Sequence, residues 1–376
     1  MPGPDELSDR AVSRLLARIV GAPTLADSAE LLAGTPSSAH GRIVDVARRH
    51  GVEAWLAACA PGGAEFESLR RQRPLFLAAQ ARTLALVRDL HDVFVQLDCP
   101  WAVLKGPALA YSVYPRPDLR HGVDLDVLVP PARFRDVLDH FGDTGFTVLD
   151  QNWPLIAATR PGELRVSAPR GVLIDLHWAV LASPAARRRF RLPTSGLLAH
   201  ARLLKPPGLP ALSAVDQIVH VAAHGTMSGG NRLAWLLDVH LTACHTTEWD
   251  AVAASASSAG VGTALGLLLA RAGRLWPSPA PRAVVRRLLN GSVWAAVDRV
   301  VDGASVLSAD PDAPSRARAW ARSASATRTA MVADFASRGL ARLGNAPRTE
   351  SSDVLLRRVD EPNARRRYLA SVAAAD

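Results

Sequence analysis

The stretch Gly122-Val123-Asp124-Leu125-Asp126-Val127-Leu128-Val129 has the period of a β-strand. Successive side chains of a strand point to opposite faces of the sheet, so Asp124 and Asp126 share one face. Two carboxylates held this close repel each other by about 1 to 4 kcal/mol, depending on the effective dielectric. The pattern therefore favours a cation at this face of the strand. A half-exposed edge strand with two solvated acids is the alternative.

A third acid, Asp175, lies on a later apolar strand at 172–176, where a lone buried carboxylate would be costly. If this strand lies beside the first, its carboxylate converges with those of Asp124 and Asp126. Three carboxylates suit Mg²⁺ or Mn²⁺, and two such ions can clamp an in-line phosphoryl displacement. Asp175 would then activate an acceptor hydroxyl, as a metal ligand or as a general base. A salt bridge to a nearby arginine is the structural alternative.

Lys105 and Gly106 end a short apolar strand and open a predicted helix. Glycine lets the backbone approach a phosphate, and the first N–H groups of a helix attract anions, although Pro107 removes one of those donors. Lys105 would add a point charge beside a triphosphate. Arg120, just before the acidic strand, is a second candidate for binding the donor's phosphates. For both loop segments, plain solvation is the alternative.

The composition is that of a globular protein with a formal net charge of +9 and a pI near 10.5, which favours anionic partners. Aromatic residues make up only 5% of the chain, which weakens the case for binding single-stranded nucleic acid. Three widely spaced cysteines show no CxxC pair and predict a reducing compartment without a zinc site. We expect a cytoplasmic protein without a signal peptide or a membrane partner.

The periodicity predicts an α+β protein in which a small mixed-sheet core is flanked by N-terminal and C-terminal helical regions. One predicted helix begins at Pro74, which should interrupt any helix that starts near Glu65. The predicted parts are a helical region at 1–97, the core at 98–185, a helical domain at 186–345 and a charged, partly ordered tail at 346–376.

Leu104-Lys105-Gly106, Arg120, Asp124–Val129 and Val172–Trp178 together resemble the uncharacterised bacterial nucleotidyltransferase family of the polymerase-beta-like superfamily. Its members share "LKG", "R…DxDLLV" and "vDLHW" motifs. The resemblance implies metal ligands at Asp124, Asp126 and Asp175, and phosphate binding by Lys105, Gly106 and Arg120. It also implies transfer of a nucleoside monophosphate from an NTP, with loss of pyrophosphate.

The predicted function is metal-dependent transfer of a nucleoside monophosphate, most simply AMP from ATP, to a hydroxyl or phosphate of a small molecule, a peptide or another acceptor. A nucleotide-binding regulatory protein without turnover is one alternative. A basic, helical protein that binds nucleic acid is the other. His220 and His224 share a helix face and could form a metal site with Asp238, but packing roles are favoured. His177 shares the face of Asp175 and could touch the metal site, or merely bond a neighbour.

Overall fold

The computed structural model describes residues 8–122, 124–289, 296–300, 310–325, 329, 331–336, 353–359, 361 and 363–375. Val123, within the acidic strand predicted from the sequence, lies outside these residues. The described residues form two compact units. The first unit contains the described parts of 1–80, 113–121 and 221–339, and the second contains those of 81–112, 122–220 and 340–376.

The helices of both units are numbered here in chain order. Within the described residues they are α1 (Asp9–Val20), α2 (Leu25–Ala33), α3 (His40–His50), α4 (Glu53–Cys59), α5 (Glu67–Gln96), α6 (Pro107–Ser112), α7 (Phe134–Asp143), α8 (Trp153–Thr159), α9 (Pro184–Arg189), α10 (Thr194–Ala199), α11 (Ala214–Met227), α12 (Leu233–Cys244), α13 (Trp249–Ser258), α14 (Gly262–Ala272), α15 (Arg282–Leu288), α16 (Arg316–Arg322), α17 (Asp353–Leu356) and α18 (Ala364–Ala373). No helix in this part of the chain combines the length and the apolar character that crossing a bilayer requires.

The second unit contains a mixed β-sheet. Its strands in the described residues are β1 (Ala102–Val103), β2 (Asp124–Leu128), β3 (Thr147–Val148), β4 (Glu163–Ser167), β5 (Leu173–His177), β6 (Arg202–Leu204) and β7 (Leu209–Ala211). They lie in the order β3-β4-β5-β2-β1-β7-β6. β2 is parallel to β5 and β1 is parallel to β7, while the other neighbours are antiparallel. The predicted α+β class, with a mixed sheet flanked by helices, is confirmed.

The core of the second unit lies between the sheet and its helices. Leu125 and Val127 of β2 and Ile174 of β5 are fully buried there. Phe134 and Phe141 of α7 pack in the same core, and neither is exposed. Because apolar side chains occupy one face of β2, its two aspartates are left on the other face.

The last described helix, α18, belongs to this core as well. Tyr368, Leu369 and Val372 are buried in it, and the Tyr368 hydroxyl accepts a hydrogen bond from the Trp178 indole at 2.9 Å. The sequence predicted a charged, partly ordered tail here. Its charged residues, such as Arg365 and Arg367, form exposed ion pairs, so the helix presents an apolar face to the sheet and a charged face to solvent.

The helices of the first unit pack on one another. The Trp276 indole after α14 donates to the carbonyl of Ala17 in α1 at 2.8 Å. The prediction that Pro74 begins a new helix is wrong, because α5 runs through it from Glu67 to Gln96. Proline removes one backbone hydrogen bond, and a helix of 30 residues can tolerate that loss.

Candidate active site

The candidate site lies on the two central parallel strands of the second unit. Asp126 of β2 and Asp175 of β5 are direct neighbours in the register, and Asp124 is paired with Leu173. In-register neighbours on parallel strands present their side chains on the same face. The sheet thus brings the acids of two distant sequence segments together.

Asp126 is the buried acid of the site, with 1% of its surface exposed. Its Oδ1 atom lies 3.0 Å from the Lys105 ammonium and 3.2 Å from Nε2 of His177. Its Oδ2 atom is also buried but has no hydrogen-bond partner within the described residues. A buried carboxylate oxygen without a partner is costly, and in native structures it calls for a ligand or another specific explanation.

His177 joins Asp126 to a fourth acid. Its Nδ1 atom lies 3.2 Å from Oε2 of Glu163, on the neighbouring strand β4, and 3.3 Å from the carbonyl oxygen of Ala179. Burial disfavours the charged imidazolium, but the Glu163 charge and the hydrogen bond to Asp126 outweigh it and raise the pKa of His177 to about 9. In the absence of a metal, His177 is thus a cation between two carboxylates.

Asp175 is the acid that the chain does not neutralise. Its carboxylate forms no hydrogen bond or ion pair with any residue that the structure describes. Arg165 faces it in the β4–β5 register, but the Arg165 guanidinium binds Asp150 at 2.9 Å. Burial, then the charges of Glu163 and Asp126, raise the pKa of Asp175 to about 7. The arginine salt bridge considered as the alternative role for Asp175 is therefore not formed.

Opposite electrostatics act on Asp126. Burial alone would raise its pKa, but the positive charges of Lys105 and His177 reverse this effect and hold it well below its usual range. Asp126 is therefore ionised at neutral pH while its neighbour Asp175 titrates close to it. Two adjacent carboxylates with such different proton affinities are typical of functional sites.

Lys105 reaches Asp126 from the junction between β1 and α6. Gly106 has a φ of 59°, in the left-handed region that favours glycine, and α6 begins at the next residue. The turn directs Lys105 back over the sheet, and 21% of its side chain is exposed. The predicted roles of Lys105 and Gly106 in phosphate binding remain predictions.

The residues present suit a divalent cation. Ligand atoms of Asp126, Asp175 and His177 lie within 4.8 Å of one another, and these three form the one such cluster found in the described residues. Asp124 lies outside it but on the same face, and its charge contributes to the raised pKa of Asp175. Carboxylate oxygens are the ligands that Mg²⁺ and Mn²⁺ prefer.

Arg120 lies in the first unit and is bound to an acid there. Its Nε and Nη2 atoms donate to the two oxygens of Asp238 at 2.8 and 2.9 Å. The Tyr114 hydroxyl donates to Oδ1 of the same carboxylate at 2.8 Å. Both oxygens of Asp238 are therefore satisfied. The predicted role of Arg120 in phosphate binding stays a prediction, and it would require Arg120 to exchange partners.

His220 and His224 fall in different units although both belong to α11. His220 is buried, and burial followed by the charge of Lys105 lowers its pKa to about 3. The His224 ring meets Trp235 edge-on with centroids 6.3 Å apart. With Asp238 held by Arg120, the structure favours packing roles over a shared metal site for these residues.

The comparison with protein families supports the interpretation drawn from this geometry. A family model described as uncharacterised nucleotidyltransferase matches residues 36–277. The chain belongs to this family. The expectation of a nucleotidyltransferase is thereby confirmed. None of the curated proteins compared with this nucleotidyltransferase matches it.

Sequence reasoning missed Glu163 in this nucleotidyltransferase. The predicted strand began at Leu164, one residue too late, and so left the acid outside the hairpin. In the structure Glu163 is paired with His177 across β4 and β5. Counting back from the predicted turn at Pro169-Arg170-Gly171 would have placed Glu163 opposite His177, because a hairpin fixes the register of its strands.

Proposed function

We propose that the chain transfers a nucleoside monophosphate, most simply AMP from ATP, to a hydroxyl or phosphate of a small molecule, a peptide or another acceptor. Family membership supports nucleotidyl transfer in general. The donor, the acceptor and the residues that carry the reaction are the proposal.

The observation that supports it most strongly is the buried Oδ2 atom of Asp126, which has no hydrogen-bond partner in the described residues and lies on the strand beside Asp175. Lys105 and His177 both bind Oδ1 of Asp126. The chain therefore fixes the orientation of this carboxylate through one oxygen and leaves the other for a ligand. We assign Asp126, Asp175 and Asp124 as the ligands of a divalent cation, Mg²⁺ or Mn²⁺.

When bound, such a cation would supply positive charge against the donor's phosphate oxygens and the attacking oxygen. The chain's own residues prepare the rest. His177 and Glu163 hold Asp126 in place, which limits the reorganisation needed when the donor binds. Lys105 supplies a second positive charge, exposed enough to contact a triphosphate.

Asp175 is the residue suited to the acceptor. Its carboxylate is partly exposed and has no partner in the described chain, so an acceptor hydroxyl can approach it. It would orient that hydroxyl and accept its proton as the new phosphate ester forms. Gly106 would let the backbone approach the donor, and Arg120 would contact phosphate only after leaving Asp238.

The test uses the purified protein, ATP labelled at the α-phosphate, Mg²⁺ and a small-molecule and peptide extract of cells. We expect label to appear in an acceptor, identified by mass spectrometry, together with release of pyrophosphate. Asp126→Asn should abolish both. Asp250→Asn is the matched control, because the Asp250 side chain is 97% exposed and pairs only with Arg287 at the surface in the described residues.

Each alternative predicts a different result. A regulatory protein would bind ATP and Mg²⁺ but release no pyrophosphate with any extract or with the other NTPs. A nucleic-acid-binding protein would bind DNA or RNA with a steep salt dependence, and Asp126→Asn would leave that affinity unchanged or improve it. Either result would contradict the proposed transfer reaction.

A further inference from the structure

The second unit contains a cavity of about 590 Å³ outside the acidic site. We call it the arginine cavity, since Arg160, Arg187, Arg188 and Arg191 line it together with Trp178. Its volume is that of a typical small-molecule site. Trp178 directly follows His177 in the chain, and its indole packs in the core with Tyr368 on the face opposite the acids. The cavity is thus separate from the candidate active site.

The charge of the arginine cavity has one sign. None of the described residues that line it is acidic. No carboxylate in the described chain lies within ion-pair distance of any of the four guanidinium groups. Most other arginines with a specific contact in the second unit do bind an acid, as Arg165 binds Asp150. Four like charges around one cavity repel one another, and an anion bound among them relieves that repulsion.

One of the four arginines is held rigidly. The Nη1 atom of Arg187 donates to the carbonyls of Leu181 and Ala182 at 3.0 and 2.6 Å, and Nη2 donates to that of Arg160 at 2.7 Å. Its guanidinium carbon lies 4.5 Å from the centre of the Trp178 ring. A cation fixed in this way presents its charge to the cavity at little further entropic cost.

The other three arginines, at 160, 188 and 191, are exposed at the mouth of the cavity and can close on a ligand. The wall below them is apolar and includes Val180, Leu181 and Phe190. Guanidinium groups pair with phosphate and carboxylate oxygens through two parallel hydrogen bonds. The lining therefore combines recognition of an oxyanion with burial of an apolar body.

We propose that the arginine cavity binds a small organic oxyanion, a phosphate monoester with an apolar or aromatic body, at a site distinct from the candidate metal site. The assignment needs neither NTP nor a metal ion. Failure of the proposed transfer reaction would therefore leave it standing.

Phenyl phosphate is a suitable probe, and its binding can be measured by calorimetry with EDTA present. The double variant Arg188→Gln/Arg191→Gln should weaken binding about tenfold or more, the effect of losing hydrogen bonds to a charged group. The control Arg282→Gln/Arg286→Gln removes the same charge from two exposed residues of α15 and should leave the affinity unchanged. Binding should also survive Asp126→Asn, because that acid belongs to the other site.

A second readout locates the ligand. The indole N–H resonance of Trp178, assigned with Trp178→Phe, should shift when phenyl phosphate is added. Equal affinity in the Arg188/Arg191 variant, equal weakening in the α15 control, or loss of binding in Asp126→Asn would overturn the assignment. Absence of saturable binding to the wild type, or inorganic phosphate binding as tightly as phenyl phosphate, would also contradict it.

Discussion

Two buried aspartates, one in each unit, show how the chain treats an acid that it uses for structure and one that it leaves available. Asp238 has both carboxylate oxygens bonded, by Arg120 and Tyr114. Asp126 has cations on one oxygen, while the other is buried without a partner in the described residues. The first arrangement satisfies the acid within the protein, and the second is complete only with a ligand. The contrast separates a structural acid from a candidate catalytic one.

The largest expected effect is on turnover. Asp126→Asn should lower nucleotidyl transfer by about 10³-fold, the scale of losing a group that stabilises transition-state charge. Its far-ultraviolet circular dichroism should match that of the wild type, because asparagine can still accept a hydrogen bond at Oδ1. Release of pyrophosphate measures the activity. A variant with activity within a factor of two of wild type would remove Asp126 from the mechanism.

Asp238→Asn should have the opposite profile. It leaves the Arg120 guanidinium without its buried counter-charge, which costs about 3 kcal/mol in the free energy of unfolding. Urea denaturation measures this loss. For comparison, Asp250→Asn removes an exposed partner of Arg287 and should cost less than about 1 kcal/mol. Equal stability of the two variants would break the comparison.

Tyr114→Phe tests the same network more gently. It removes the hydroxyl that donates to Asp238 and keeps the paired guanidinium, so we expect a loss of about 1 to 2 kcal/mol, typical of one hydrogen bond to a charged group. Denaturation of Tyr114→Phe and Asp238→Asn, singly and combined, should show that their effects are not additive. Simple additivity would mean that the hydroxyl acts independently of the acid.

The smallest predicted effect is a dependence of stability on pH. Burial and the charge of Lys105 lower the pKa of His220 to about 3, whereas an unfolded histidine titrates near 6.5. The unfolded chain therefore binds the extra proton between these values, and stability falls as the pH drops below about 6.5, by at most about 1.4 kcal/mol per pH unit. His220→Asn should lose less stability than wild type between pH 7 and 5 in urea titrations. An equal loss would show that His220 is protonated in the folded state.

The sequence was sufficient for the sheet that carries the acids, because alternation placed Asp124 and Asp126 on one face and the turn near Pro169 defined the hairpin with Asp175. It was not sufficient for the partners. The contact between Lys105 and Asp126 depends on how β1 is paired with β2, which local periodicity does not specify. Glu163 was lost through a boundary error of one residue. Burial of Tyr368 could not be predicted, because the surrounding arginines make the C-terminal segment look like a solvated tail.

The central claim is that Asp126 is incomplete without a divalent cation. Titration of Mn²⁺ into the metal-free protein, with free Mn²⁺ followed by electron paramagnetic resonance, tests it most directly. We predict saturable binding to the wild type and to Asp238→Asn, and at least about a tenfold loss of affinity in Asp126→Asn, as expected when a charged ligand is removed. Mn²⁺ binding to Asp126→Asn with wild-type affinity would contradict the account.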